Sequence, residues 1–191
     1  MSHNFWRSMD YESSKSQMAD DFYYHQFKVN EIVRFDTGSE ADMKFQRADI
    51  DVQLHGWGRH ANVSEKFRAK DYNDLYLELY SMYPQTLGWM ERNEADFLAY
   101  FFPQRVLWIN KHDLHHFFKA QIQPDVKEEW LTQIQERFPA KNGKVDLNLK
   151  GKKVSIIKAY NKTPTKTWDT IGISVPLDWV AEFLPIKEYR L

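Results

Sequence analysis

The 191-residue sequence predicts an α/β domain, a mixed β-sheet flanked by helices with additional strands and a helix toward the C-terminus. Three observations carry that expectation. Residues 47–54 and 74–81 alternate apolar and polar side chains with the period of two that half-buried strands show. Residues 10–28, 113–121 and 126–138 read as helices. The order along the chain is a helix, a run of strands, two helices, two strands and a helix, which suits layers packed around one sheet.

In the first helix, Asp10 can serve as cap, and Tyr11, Met18 and Phe22 fall on one stripe. NEIVRFD (30–36) reads as a short strand and TGSEAD (37–42) as a turn or loop. Within 47–54, Ala48, Ile50, Val52 and Leu54 face one way, and Asp49, Asp51 and Gln53 the other. HGWGRH (55–60) is a glycine-containing turn, so 61–68 returns as the second arm of a hairpin. In the third strand Leu75, Leu77 and Leu79 share one face; Tyr76, Glu78 and Tyr80 share the other. Residues 95–102 and 105–109 are apolar runs of strand length, 153–160 and 170–175 are late strands, and Pro176 opens a final helix.

The length suits a single domain, with a core over about residues 10–122 and a basic extension over about 123–191. With 42% hydrophobic and 28% charged residues the chain has a globular composition, not a disordered one. It has no cysteine, which excludes disulfides, thiolate metal sites and a cysteine nucleophile. No apolar run approaches the ~20 residues of a membrane span. The N-terminus lacks the apolar stretch of a secretory signal, so a cytoplasmic location is the default expectation. A net charge of −1 argues against a strongly electrostatic nucleic-acid binder. Its distribution is uneven, however: residues 8–42 hold eight acids and three bases, and residues 137–166 hold nine bases and one acid. The basic segment either presents a phosphate-attracting face or forms a solvated lysine-rich hairpin.

A metal-dependent phosphodiesterase needs carboxylates for a hard divalent cation and a positive charge beside the attacking water and the scissile phosphate. A hairpin with an acid on one strand and an acid-x-lysine on the next supplies these groups at one sheet end. Here Asp51 lies on the first arm, Ser64-Glu65-Lys66 on the second, and Glu78 on the following strand. Alternation puts Ser64 and Lys66 on one face and sends Glu65 to the other unless a bulge intervenes.

These residues carry a resemblance. Ile50-Asp51, then Ser64-Glu65-Lys66-Phe67-Arg68, then Lys70, Asp71, Asp74 and Glu78, then Gly88-Trp89, then Ala95-Asp96-Phe97 through Tyr100 follow in an ordered series. The stretch from Gln46 to about Trp108 resembles a phage and bacterial group of the PD-(D/E)XK, or restriction-endonuclease-like, superfamily. The resemblance implies a restriction-endonuclease-like sheet and a metal-dependent DNA endonuclease of phage or mobile-element type. It implies Asp51, Glu65, Lys66 and Glu78 as catalytic residues, with Mg²⁺ or Mn²⁺ on Asp51, Glu78 and Glu65. Arg68, Lys70, Lys150, Lys152 and Lys153 would contact DNA.

One position departs from the pattern: Ser64 stands where the acid of (D/E)xK belongs, and a hydroxyl is a poor Mg²⁺ ligand. Either Glu65 or Glu78 supplies the missing charge, or the fold persists as a catalytically weakened module that binds nucleic acid or a partner protein. A homodimer and a host or phage protein are further partners consistent with the sequence; a membrane is not. Asp49 competes with Asp51, since both point the same way. Asp20 or Asp21 and Gln26 on the first helix could reach the site, though helix capping and exposure account for them more simply. His112 and His116 have the i, i+4 spacing of two metal ligands, but no glutamate lies between them as in HExxH. Trp57 at the hairpin turn could stack on a base.

Overall fold

The computed structural model describes residues 5–56 and 58–191, with side chains from residue 15 onward. Trp57 and the side chains of Asp10 and Tyr11 lie outside the described residues. The fold is mixed α/β, with two sheets and six α-helices. No helix among the described residues is long and apolar enough to cross a membrane.

The first sheet gathers Glu31–Arg34 (β1), Val52–Gly56 (β2), Arg59–Phe67 (β3), Phe97–Phe101 (β6), Arg105–Asn110 (β7) and Ile186–Arg190 (β11). They lie side by side in the order β1-β2-β3-β6-β7-β11. All neighbours are antiparallel except β3 and β6, which run parallel. The second sheet has the order β5-β4-β10-β9-β8 and is antiparallel throughout. Its strands are Asp74–Met82 (β4), Thr86–Leu87 (β5), Gly143–Leu149 (β8), Lys152–Lys162 (β9) and Thr167–Pro176 (β10).

Helix Phe5–Phe27 (α1) covers one face of the first sheet. Ala19, Phe22 and Tyr23 pack there on Val52, Leu54, Val63, Ala99, Phe101 and Val106. The opposite face, through Leu98, Tyr100, Leu107 and Ile109, packs on Leu75, Leu77 and Leu79 of β4 and on Ile156, Ile171, Ile173 and Val175 of β9 and β10. Helices Lys111–Phe117 (α4), Glu128–Arg137 (α5) and Leu177–Ala181 (α6) complete this larger core. The C-terminal third is woven through the rest, since β10 pairs with β4 and β11 with β7.

The hairpin, the alternating strand at 74–82 and the apolar strands at 97–110 form as the patterning predicts. Three expectations change. Residues 37–42 are not a free loop: Ser39 accepts from the Asp42 N–H and caps helix Glu40–Arg47 (α2), whose first turn carries Glu40 and Asp42. The strand expected from residue 47 begins at Val52, because Ala48 ends α2 and Asp49 adopts a left-handed backbone with φ 54°. Third, β4 leaves the hairpin and joins the second sheet, and β6 takes the place beside β3. The physical reason lies in the side chains. Leu98 through Phe101 are all buried, as a strand covered on both faces requires, whereas β4 is apolar on one face only. Strands β8 and β11, helix α2 and the short helix Trp89–Arg92 (α3) were not expected as such.

Leu77 is fully buried between the sheets, so Leu77→Ala should lower stability by about 2–5 kcal/mol, measured as a lower urea midpoint at an unchanged slope.

Candidate active site

Asp51 sits where β2 enters the sheet. Its N–H donates to the Val63 carbonyl and its own carbonyl accepts from Phe35 N–H, which fixes its backbone between β1 and β3. Its carboxylate reaches toward β3. Oδ2 accepts from the Glu65 N–H at 2.6 Å and from Ser64 Oγ at 3.3 Å. The Lys66 ammonium donates to Ser64 Oγ at 2.9 Å and stands 3.8 Å from Asp51 Oδ2. It also lies over the Trp89 ring, 5.6 Å from the centroid. Ser64 is fully buried beneath this pair, while Asp51 keeps 42% of its side chain exposed. A buried hydroxyl therefore links an exposed carboxylate to the ammonium of a half-buried lysine.

The register of β3 with both neighbours is unbroken, so the pleat sends Glu65 to the opposite face. There it accepts from Tyr23 Oη at 2.8 Å and from Arg34 Nη1 at 2.9 Å and Nη2 at 3.2 Å. Arg34 in turn binds Asp20 at 2.7 Å and the Ser16 carbonyl. Burial raises the Glu65 carboxyl, with Arg34 and Tyr23 opposing. The structure thus does not bring Glu65 to Lys66; it places Glu65 and Asp20 together behind the sheet, under α1. Only the Glu65 backbone N–H takes part in the Asp51 corner.

Glu78 does face this corner although its strand belongs to the second sheet. Burial raises its carboxyl, the Trp89 N–H and the charges of Lys66 and Arg92 oppose that, and Asp49 adds to it. Gly88 explains the contact. A Cβ at that position would lie 2.3 Å from the Glu78 carbonyl oxygen, so only glycine lets α3 start against β4 and aim the Trp89 N–H at the carboxylate.

Three further residues share the corner. Asp49 pairs with Arg92 at 3.2 Å, and burial raises its carboxyl. Lys111, at the start of α4, is 3% exposed and donates to the Met90 carbonyl. Burial pulls its ammonium down to about 8, with the charge of Lys66 acting in the same direction and Glu91 and Asp49 opposing. The sequence reading weighed Asp49 but missed Arg92 and Lys111. A lysine closing an apolar strand, as in Trp108-Ile109-Asn110-Lys111, was the available signal.

Among the described residues, no three His, Asp or Glu side chains converge closely enough to form a metal cage. A caged site is not the only fit, because Mg²⁺ is commonly held by one or two carboxylates and keeps several waters. Asp51 offers Oδ1, since its side-chain contacts fall on Oδ2, and Glu78 carries a carboxylate on which the Lys66 charge acts. By donor chemistry Asp51 and Glu78 are the oxygens suited to such an ion, and Glu65, on the other face of β3, is not one of them.

The residues expected to contact DNA divide. Arg68 continues the ladder of β3 through its N–H to the Phe101 carbonyl, and its guanidinium meets Tyr100 Oη and Asp74. Lys70 is exposed. Lys153 pairs with Asp146 at 3.2 Å. Lys150 instead pairs with Asp125, and Lys152 with Glu182, on another part of the surface. His112 and His116 are exposed, with rings 4.4 Å apart between centroids.

Two measurements probe this arrangement. Glu65→Gln removes the charge that Tyr23 and Arg34 hold and should cost about 2–3 kcal/mol in urea denaturation. Lys111 titrates near 8 folded and at 10.5 as a free side chain, so between those values the unfolded chain binds the extra proton and stability rises with pH. Lys111→Met should abolish that rise in urea midpoints collected across the same range. No family model, curated protein or solved structure matches the chain in comparisons with known proteins.

Proposed function

We propose that the protein hydrolyses DNA phosphodiester bonds as a PD-(D/E)XK-type, metal-dependent endonuclease of phage or mobile-element kind, with Asp51, Lys66 and Glu78 as the working groups. The observation that carries this reading is the Lys66 ammonium 3.8 Å from the exposed Asp51 carboxylate at the end of the β2–β3 hairpin. The ordered motif series from Ile50 to Tyr100 supports it, as does the mixed sheet that holds the β2–β3 hairpin beside β6.

Asp51 and Glu78 would hold Mg²⁺ or Mn²⁺. When bound, such an ion polarises the phosphate and lowers the pKa of a coordinated water. Ser64 and the Trp89 ring hold Lys66 where its charge neutralises a non-bridging phosphate oxygen as negative charge builds. The Glu65 N–H fixes the Asp51 carboxylate, so the reacting groups need little rearrangement. The water oxygen bonds to phosphorus as the bond to the leaving oxygen breaks; the water gives up one proton to solvent and the leaving oxygen takes one up from it.

A second reading has its own support. With Ser64 in place of an acid and Glu65 held by Arg34, the corner keeps fewer free carboxylates than the motif pattern requires. That favours a nuclease-fold module that binds nucleic acid, or a host or phage protein, without cutting.

Plasmid and single-stranded DNA incubated with Mg²⁺ or Mn²⁺ separate the two. Wild type should cleave, and Lys66→Ala and Asp51→Ala should each be slower by about 10²-fold or more. Retention of DNA without cleavage by wild type would favour the binding module. Equal cleavage by all three proteins would end the assignment of these residues.

A further inference from the structure

The corner described above does not stop at Lys66. Arg68 follows two residues later on the same side of the strand, about 7 Å along. It also faces Tyr76, which shares the non-core face of β4 with Glu78. Beyond Arg68 opens a cleft of about 560 Å³ between the 68–74 segment and the outer face of the second sheet. Three cations line it: Arg68, Lys144 on β8 and Lys153 on β9. The carboxylate in its wall, Asp74, is already engaged by Arg68 and by the Ser174 hydroxyl. Lys144 and Lys153 both pair with Asp146, but they remain 60% and 77% exposed, so these bonds exchange readily for phosphate. At the rim Tyr72 is 62% exposed, one of the most exposed large side chains, with the Arg68 guanidinium 5.6 Å from its ring centroid.

An exposed ring backed by a guanidinium, beside a row of ammonium groups, has the chemistry of a single-strand nucleic-acid groove. The ring stacks on a base and the cations follow the backbone. We propose that this cleft is the track that leads a single strand to the Asp51–Lys66 corner, with Tyr72 as base platform and Arg68, Lys144 and Lys153 as phosphate contacts. The inference rests on the proposed function and adds to it the form of the substrate, an unpaired strand. An exposed ring for stacking needs an unpaired base, since the faces of bases in a duplex are already stacked on one another.

The test is fluorescence anisotropy with labelled oligothymidine and a duplex of equal length, across a salt series without divalent metal. Wild type should prefer the single strand. Tyr72→Ala should weaken its binding about tenfold, with Tyr72→Phe close to wild type. The Lys144→Ala/Lys153→Ala double variant should flatten the slope of log K against log salt by ~0.7 per lysine. Lys187→Ala, on the far edge strand of the first sheet, should change neither. Duplex preference, or wild-type affinity and slope in the Tyr72 and double-lysine variants, would overturn the track and leave the proposed hydrolysis standing. If wild type binds neither oligonucleotide, both fall.

Discussion

Strand β3 is the constraint on which the candidate site depends. It lies between β2 and β6 with α1 against one face and the inter-sheet core beside the other, so its pleat assigns each side chain to a layer. Ser64, Lys66 and the following Arg68 go to one side; Val63, Glu65 and Phe67 go to the other. A one-residue slip would bury the Lys66 ammonium under α1 and exchange the two chemistries. The Glu65–Arg34 pair opposes such a slip. Burying ions costs several kcal/mol each, and here the cost is offset by three bonds to the Glu65 carboxylate and by Asp20 on the far side of Arg34. The pair ties β3 to β1 and α1 at one point, so Glu65 acts on the corner through the backbone, as donor of the N–H that positions Asp51.

The second sheet supplies what the hairpin cannot. Strand β4 comes from a different layer, yet Glu78 projects from its non-core face toward Lys66, and α3 is seated on it through Gly88. The corner is therefore assembled from two sheets and one short helix. Asp49 and Glu78 both carry carboxyls raised by burial, and each adds to or feels the other's charge. Burial of carboxylates beside two lysines and Arg92 leaves the corner's charges held against one another in place of water.

Much of this was legible in the residues, and the failures have physical causes. Alternation alone placed Ser64 with Lys66 and Glu65 opposite, because the pleat is a local property. The cap of α2 was also local, with Ser39 and Asp42 three residues apart, but glycine and threonine beside them read as a loop. The sheet that β4 would join was not legible. Its partner β10 lies some ninety residues away, and only the comparison of its one apolar face with the two of β6 decides which strand sits centrally. Lys111 is not legible as a site residue, because it stands in a run of histidines and the burial that perturbs it comes from α3 and the core.

The lysine-rich segment shows how composition and surface potential part company. Of the nine bases in residues 137–166, five are ion-paired in the fold: Lys144 and Lys153 with Asp146, Lys150 with Asp125, Lys152 with Glu182, and Lys158 with Asp169. Lys158 is 1% exposed and caps the Phe138 carbonyl, a structural role inside the core. Lys150 and Lys152 turn to helices on the opposite side from Lys153. No uniformly basic face results, in keeping with a net charge of −1. Long-range steering by such a surface would be weak. Any affinity for a polyanion must instead come from short-range contacts, with each phosphate met by a cation already oriented by its neighbours. Arg68 meets that condition, held by Tyr100 and Asp74 and flanked by Tyr72, just past the strand that carries Lys66.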